Sequence, residues 1–411
     1  MAKLIPFKAV RPRRDLAHLV VSRPVSTYPS AILKAKLKEN PFTFIHIIHP
    51  EFFENDKNRT APNSKARFLK VKAKFEEFCD KNVFIKEDNA SLYIYRQTKN
   101  NHEYLGVISG SSIEEYQQNV IKKHEATLTS REEMFTNYLD IVGVNAEPVL
   151  LSHEKNESID RLLIKITQTR PEYEFSTADT VKHELWVVQG QQMNELLSEY
   201  EKIPTTYIAD GHHRSASSAR LAERLNKKGG ATDLHNYFLT YLISEDRLNI
   251  LPFNRLCRSL NGETPDSLLE KLSIHFNVEP LKTRKEPEQI HCIHCYLNQK
   301  WYALTCKPEI IDTSEAVKQI DAEILTQYIL TPLLGIKDLK TDKNIKFISG
   351  EYGSVAVEKE CKKLGFEVGF ALYPVLVEQL KRVADENAIM PPKSTYIEPK
   401  LRSGLTIYTI K

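Results

Sequence analysis

No stretch of this chain approaches the ~20 consecutive apolar residues that a membrane-spanning helix needs, so no membrane segment is expected. The opening MAKLIPFKAVRPRRDLAHLV also lacks the unbroken apolar core of a secretory signal, and a cytoplasmic protein is expected. Charge of one sign is scarce too. The 57 Lys and Arg are nearly matched by 54 Asp and Glu, for a net charge of +3. So small an excess gives no polyelectrolyte character, and duplex nucleic acid is not implied as a partner. The short basic runs RPRR (11–14) and KVKAK (70–74) read as solvated faces. Cysteine is limited to Cys79, Cys257, Cys292, Cys295, Cys306 and Cys361. Without a secretory signal these are expected to be reduced thiols. No internal repeat or low-complexity tract is visible.

What is present is an ordinary globular composition, 41% hydrophobic and 27% charged over 411 residues. That length suggests two domains, or one with large elaborations. Runs rich in β-branched and aromatic residues predict strands at 42–48, 91–98, 105–110, 148–153, 161–167, 183–188, 205–209, 236–244 and 248–253. Helices are expected at 65–80, 113–125, 129–139, 190–201 and 211–227. After about residue 260 the pattern changes. It gives a helix at 265–276, a hairpin, a long helix at 314–333, a strand at 345–349, a helix at 354–364, a strand at 367–373 and a helix at 375–387. The alternation implies a mixed α/β (α+β) protein. The expected division is 1–258 as an N-terminal region carrying the site, 259–389 as a second α/β lobe, and 390–411 as a tail returning to the core.

The string HCIHC, from His291 to Cys295, needs weighing as a metal site. It lies in the expected hairpin, HCIHCYL, an Asn298-Gln299 turn, then WYALTC. Alternate strand residues share a face, so Cys292 and His294 point one way and His291 and Cys295 the other. Four ligands split two and two suit a tetrahedral zinc site poorly, and half-buried strand residues are the reading adopted.

The densest chemistry is in ADGHHRSASSA, from Ala209 to Ala219. Tyr207-Ile208-Ala209 reads as a strand end and Asp210 as the N-cap of a helix closed by Gly229-Gly230. Small residues Ser215, Ala216, Ser218 and Ala219 would let its first turns lie close to a sheet. A helix start offers backbone N–H groups and a positive dipole end to an anion. Gly211 would let a phosphate approach the backbone, Arg214 adds a bidentate fork, and His212 and His213 add further donors. Capping alone needs only Asp210, so the pattern points to a nucleotide.

Two other segments carry candidates. His124-Glu125 sits between two expected helices, where a side chain can face a cleft. In the tail, Pro391-Pro392 must end the preceding helix. Lys393 and Ser394 then open KSTY, and they are expected to line the nucleotide or substrate pocket opposite Arg214. LTIYTI (405–410) reads as a strand that ties the end into the sheet.

Several of these segments together resemble a large bacterial family catalogued as a domain of unknown function. They are PFKAVRP, NPFTFIHIIHPE (40–51), GVISGSSIEEYQQNVIKKHEATL (106–128), YIADGHHRSASSA (207–219), DAEILTQYILTPLLGI (321–336) and MPPKSTYIEPKLRSGL (390–405). That family looks like a distant relative of the ParB/sulfiredoxin-like fold and of its free-serine kinases. The resemblance implies a nucleotide-binding core in which Asp210, Gly211, His213 and Arg214 match the phosphate turn and Glu125, beside His124, matches a general base. It also implies ATP or ADP as phosphoryl donor with Mg²⁺, Asp210 as a magnesium ligand or second catalytic carboxylate, and a small hydroxy amino acid as acceptor. Where many relatives show Pro-Tyr-Asp-Val, this chain reads RPVSTYP, from Arg23 to Pro29. Any role for that aspartate is therefore lost or moved to another residue.

Three functions are compatible with these residues. The first is a kinase for the hydroxyl of free L-serine or a similar hydroxy amino acid. The second is a nucleotide-binding switch or NTP hydrolase of the same fold. The third is a metal-dependent hydrolase using His212, His213, His124 and Glu125, which suffers because adjacent helical histidines point about 100° apart. The identity of the acceptor, the choice of donor and the oligomeric state are open at this level.

Overall fold

Alternating buried runs build the larger sheet of a mixed α/β protein, whose computed structural model describes residues 1–55, 58–229 and 232–410. The chain divides into two units. The first comprises Met1–Lys123, Thr127–Leu248 and Pro399–Lys411, and the second His124–Ala126 and Asn249–Glu398.

In the first unit, nine strands form one sheet: β1 (Leu4–Ile5), β2 (Leu92–Lys99), β3 (His102–Ser112), β4 (Ile121–Lys122), β5 (Val149–His153), β6 (Tyr173–Ser176), β7 (Lys182–Val188), β8 (Thr206–Asp210) and β9 (Tyr237–Ser244). The order is β4-β8-β5-β9-β3-β2-β7-β6, with β1 on β3. β4 and β8 are parallel neighbours, as are β9 and β5; the other pairs are antiparallel. Five helices matter to the site: α1 (Lys65–Asp80), α2 (Thr129–Val142), α3 (Glu157–Thr167), α4 (Gly190–Tyr200) and α5 (His212–Asn226).

Successive strand residues point to opposite faces, and both faces of this sheet are buried. One face is apolar: Ile94, Val107, Leu151, Ile208 and Leu242 pack with Ile159, Leu163 and Ile166 of α3, Leu196 and Tyr200 of α4, and Ala219 and Ala222 of α5. The alanines fit the expectation that small residues let α5 lie close to the sheet. The other carries polar groups, several of which bond within it. Tyr241 donates to the carbonyls of Tyr95 and Tyr104, and the Tyr95 hydroxyl lies 2.7 Å from His183 Nδ1. A second apolar cluster joins Phe68, Val71, Phe75 and Phe78 of α1 to Phe44, Phe84, Val142 and Ile407.

In the second unit the strands are β10 (Asn249–Cys257), β11 (Phe276–Leu281), β12 (Cys292–Leu297), β13 (Lys300–Cys306), β14 (Ile345–Ser349), β15 (Val368–Ala371) and β16 (Thr395–Glu398). Their order is β11-β13-β12-β15-β10-β14, with β16 also on β10. The expected hairpin is β12–β13, and Asn298 and Gln299 make its turn with positive φ. His294 donates from Nδ1 to the Lys285 carbonyl, 2.9 Å away, while His291 reaches the Gln319 carbonyl at 3.1 Å.

Several expectations are corrected. The stretch at 42–48 contains a short helix, Ile45–Ile48, instead of a strand: Ile45 and Ile47 are buried, and a short apolar run does not distinguish the two. Residues 161–167 belong to α3. Asn156 caps that helix by accepting from Ser158 N at 2.9 Å and Ile159 N at 3.1 Å, and Ile159, Leu163 and Ile166 recur at helical spacing. The helix expected at 113–125 stops at Gln117 and gives way to β4. The helix expected at 314–333 is broken: an α-helical turn at Asp321–Leu325 widens into i→i+5 bonding through Leu330. LTIYTI contributes only Tyr408–Thr409, paired with Val144–Asn145 in a ladder apart from the large sheet. Finally, Arg11 of the RPRR run is not solvated. It is buried, bonded to Glu87, to Glu172 at 3.1 Å and to the Tyr173 hydroxyl at 2.6 Å.

Candidate functional site

β8 ends in an irregularity. Ile208 pairs with Leu151, but Asp210 pairs with Leu150, so the ladder is bulged at Ala209. A bulge bends its strand and re-aims the residues beyond it. Here those residues are Asp210 and then Gly211, with φ 105° and ψ 27°. Gly211 occupies the N-cap position of α5, and its carbonyl receives the first intrahelical bond, from Ser215 N at 3.0 Å. The expectation that Asp210 caps α5 is therefore corrected. The strand runs through Asp210, and its carboxylate turns to cations instead. Arg214 Nη2 lies 2.9 Å from Asp210 Oδ2 and Lys400 Nζ lies 3.6 Å from Oδ1. At the other end α5 stops at Asn226 with Lys227 as C-cap; Gly229 has φ 70°, and Gly230 is outside the described residues.

The hydroxyls of α5 are turned inward along the helix. Ser215 donates to His212 O, Ser217 to His213 O at 2.6 Å and Ser218 to Arg214 O at 2.9 Å. Such back-bonding lets a small polar residue satisfy its hydroxyl within the helix. α5 is also clamped to α2: Arg220 and Arg224 both reach Glu133, and Arg224 bonds Asn137 at 2.8 Å. The turn is thus set on a rigid element. His212 is buried, and His213 and Arg214 are half-buried. The N–H groups of these three residues precede the first intrahelical bond, at the positive end of the helix.

Arg214 is the hub. Besides Asp210 it holds Glu147 Oε1 at 3.0 Å and donates to the Pro148 carbonyl. Glu147 in turn accepts from Ser403 Oγ at 3.1 Å. Two carboxylates, Asp210 and Glu147, thus face the cations Arg214 and Lys400 at the turn. A phosphate there would have to displace a carboxylate from Arg214 or lean on the backbone N–H groups and Lys400. Beside Arg214 lies a cavity of about 420 Å³, lined by Phe68, Phe135, Tyr138, Glu147 and Ser217 among others.

The structure groups Asp210, Gly211, His212, His213 and Arg214 in the first unit. His124, Glu125, Lys393 and Ser394 belong to the second. His124 is buried and its carbonyl accepts from Met390 N at 2.9 Å, while Glu125 is exposed. Lys393 is exposed with its ammonium 4.9 Å from the Phe253 ring centre, and Ser394 is buried and donates to the Pro391 carbonyl at 2.8 Å. Sequence reasoning misses Glu147, Lys400 and Ser403. Glu147 lies in an unremarkable NAEP string, and Lys400 and Ser403 sit in the tail a few residues beyond Lys393.

As for a metal, a magnesium ion accepts one or two protein carboxylates and completes its shell with phosphate and water. Asp210, whose side chain is 42% exposed, is of the right chemistry, and the nearby cations Arg214 and Lys400 would have to yield to it.

None of the curated proteins matches the sequence. Among solved structures, the chain is similar to a free serine kinase in complex with AMP, at 13% identity, over 73% of this chain and 91% of that one, with a TM-score of 0.33. It is similar to SbnI with a C-terminal truncation from Staphylococcus aureus, at 10% identity, over 71% and 82% of the chains, with a TM-score of 0.37. A conserved hypothetical protein from Pyrococcus furiosus is 14% identical over 75% of this chain and 97% of its own, with a TM-score of 0.32. Residues 4–323 match a family model, and the chain belongs to the family described as protein of unknown function (DUF1015).

Proposed function

We propose that the protein is a nucleotide-dependent small-molecule kinase that phosphorylates the hydroxyl of free L-serine or a similar hydroxy amino acid. The observation that carries this reading is the path from bulge to Gly211 turn to helix start, which puts Gly211, His212, His213 and Arg214 at a helix terminus suited to phosphate. In this reading ATP or ADP places its phosphates there. Asp210 holds Mg²⁺ against them, and Lys393 and Ser394 close the pocket.

Glu125 is the general base for the acceptor hydroxyl, oriented by its neighbour His124. Transfer to an alkyl hydroxyl needs in-line positioning, neutralised phosphate charge and a base at the hydroxyl proton, and these residues supply one each.

The test is incubation of the full chain with ATP or ADP, Mg²⁺ and L-serine, followed by ³¹P NMR. A phosphomonoester of serine or of another hydroxy amino acid is expected. Absence of transfer to any of them ends the proposal, and hydrolysis indifferent to added amino acid would favour an NTP hydrolase.

A further inference from the structure

The RPVSTYP segment and the tail meet at a place that the proposed reaction leaves unused. Ser22 and Ser403 exchange backbone hydrogen bonds, 3.2 Å from Ser22 N to Ser403 O and 2.9 Å in return. Across an antiparallel bridge the next residue of one strand faces the previous residue of the other, so Arg23 stands opposite Arg402. Like charges so placed repel. One carboxylate serves both: Asp179 Oδ2 is 2.7 Å from Arg402 Nη2 and 3.4 Å from Arg23 Nη1.

A third cation joins them. Lys36, on the helix Ser30–Glu39, has its ammonium pKa drawn below the ordinary value, first by burial and then by the fields of Arg23 and Arg402, which Asp179 offsets only in part. Among the described residues, three cations face one carboxylate, which leaves two positive charges uncompensated within the cluster.

Two buried donors here find no acceptor among the described residues, Arg402 Nε and Gln97 Nε2. The Arg402 side chain is only 3% exposed. Gln97 is the cross-strand partner of His183, so the two share a face of the sheet. His183 is held there by the hydroxyls of Tyr95, at 2.7 Å, and Thr177, at 3.1 Å. Thr177 Oγ1 also lies 3.5 Å from Arg402 Nη2. Burial holds His183 far below the ordinary imidazole value, at about 3, with the field of Arg402 adding to the effect, so it stays neutral and adds no charge at pH 7. Buried donors without acceptors beside an excess of positive charge are what an oxyanion would satisfy.

We propose that Arg23, Lys36, Arg402 and Gln97 form an oxyanion site that takes the carboxylate or phosphoryl group of a small-molecule ligand. The tail fixes its place relative to the turn. Lys400 reaches Asp210, Arg402 reaches Asp179 and Ser403 reaches Glu147, the partner of Arg214. One ligand can therefore be gripped by neighbouring residues of a single strap. The site rests on the kinase reading only in that its ligand is the acceptor or product of that reaction.

The experiment is calorimetric titration of the full chain at low ionic strength with inorganic phosphate and, separately, with L-serine. At least one is expected to bind. Arg23→Gln and Lys36→Gln should each weaken that binding tenfold or more. Asp179→Asn should tighten it, because it removes the competing carboxylate, and a gain of affinity is not a symptom of misfolding. Binding of phosphate alone assigns the site to a phosphoryl group, and of serine alone to a carboxylate. ADP titrated into the same variants should bind as it does to the unaltered chain, which keeps this result separate from the fate of the kinase reading. If neither probe binds the unaltered chain, or if both variants bind as it does, the oxyanion site does not exist.

Discussion

Arg214 lies across Gly211: a Cβ built on the glycine would stand 3.1 Å from Cζ, Nε and Nη2 of the guanidinium. The glycine also holds φ at 105°, where side chains are strained. Gly211→Ala is therefore expected to lose on the order of 1–3 kcal/mol of stability. It should also push the guanidinium off its carboxylates. Urea unfolding checks the first effect, and a midpoint equal to that of the unaltered chain would show that the turn does not demand glycine.

Arg214→Ala removes the only cation that bridges Asp210 and Glu147 among the described residues. Nucleotide affinity is expected to fall by on the order of 1.5–3 kcal/mol, the range for hydrogen bonds to charged groups. That corresponds to roughly 10- to 100-fold in Kd. Calorimetry with ADP measures it. Unchanged affinity in the folded variant would reduce the arginine to a brace between β8 and the Glu147 loop.

Glu125→Gln is expected to lower turnover by roughly 10²–10⁴ while nucleotide affinity stays nearly intact, because a base acts on the acceptor and not on the donor. Single-turnover transfer and ADP binding on the same preparation separate the two. Equal losses in both would place the carboxylate on the metal or in the fold.

Asp179 gives a pH test. Burial alone would raise its pKa, but Arg402, then the hydrogen bond from Thr177 and the field of Arg23, together outweigh burial and hold it at about 2, below the unfolded value. A depressed carboxyl contributes stability that is fully present above the unfolded pKa of about 3.9 and is lost as pH falls through the folded one. At neutral pH the unaltered chain should exceed Asp179→Asn by about 1–2 kcal/mol, after allowing for partial solvent screening. The gap should close between about pH 4 and pH 2. A gap that persists unchanged at pH 2 would mean that packing, and not charge, distinguishes the two.

Much of the fold was legible because it is local. The 65–80 helix matches α1 from end to end, and the β-branched and aromatic runs at 91–98 and 183–188 mark β2 and β7. What misled was chemistry that a run of apolar letters hides. RLLIKIT is β-branched enough for a strand, but Asn156 commits it to helix by binding two N–H groups at once. At the site, the turn at Gly211 could be read from its residues, yet the partners of Asp210 and Arg214 could not. Glu147, Lys400 and Ser403 are distant in sequence, and only the return of the chain after Glu398 brings the last two near. The bulge at Ala209 left no trace, because it is a property of pairing with Leu150 and Leu151.

The first unit is interrupted, and the way the interruption is closed bears on how the protein folds. The chain leaves at Leu248 and returns at Pro399, and the strands bounding the interruption are zipped together: Asn249 faces Glu398 and Ile250 faces Ile397 across β10 and β16. Until that zipper forms, bringing Lys400, Arg402 and Ser403 home means closing a very long loop, which slows assembly. Once it forms, the two chain crossings are neighbours and the remaining search is short. Refolding should therefore be ordered. Amides of β10 and β16 should gain protection from hydrogen exchange before the backbone N–H of Ser403 does, and the cation-bearing strap should be the last part to settle.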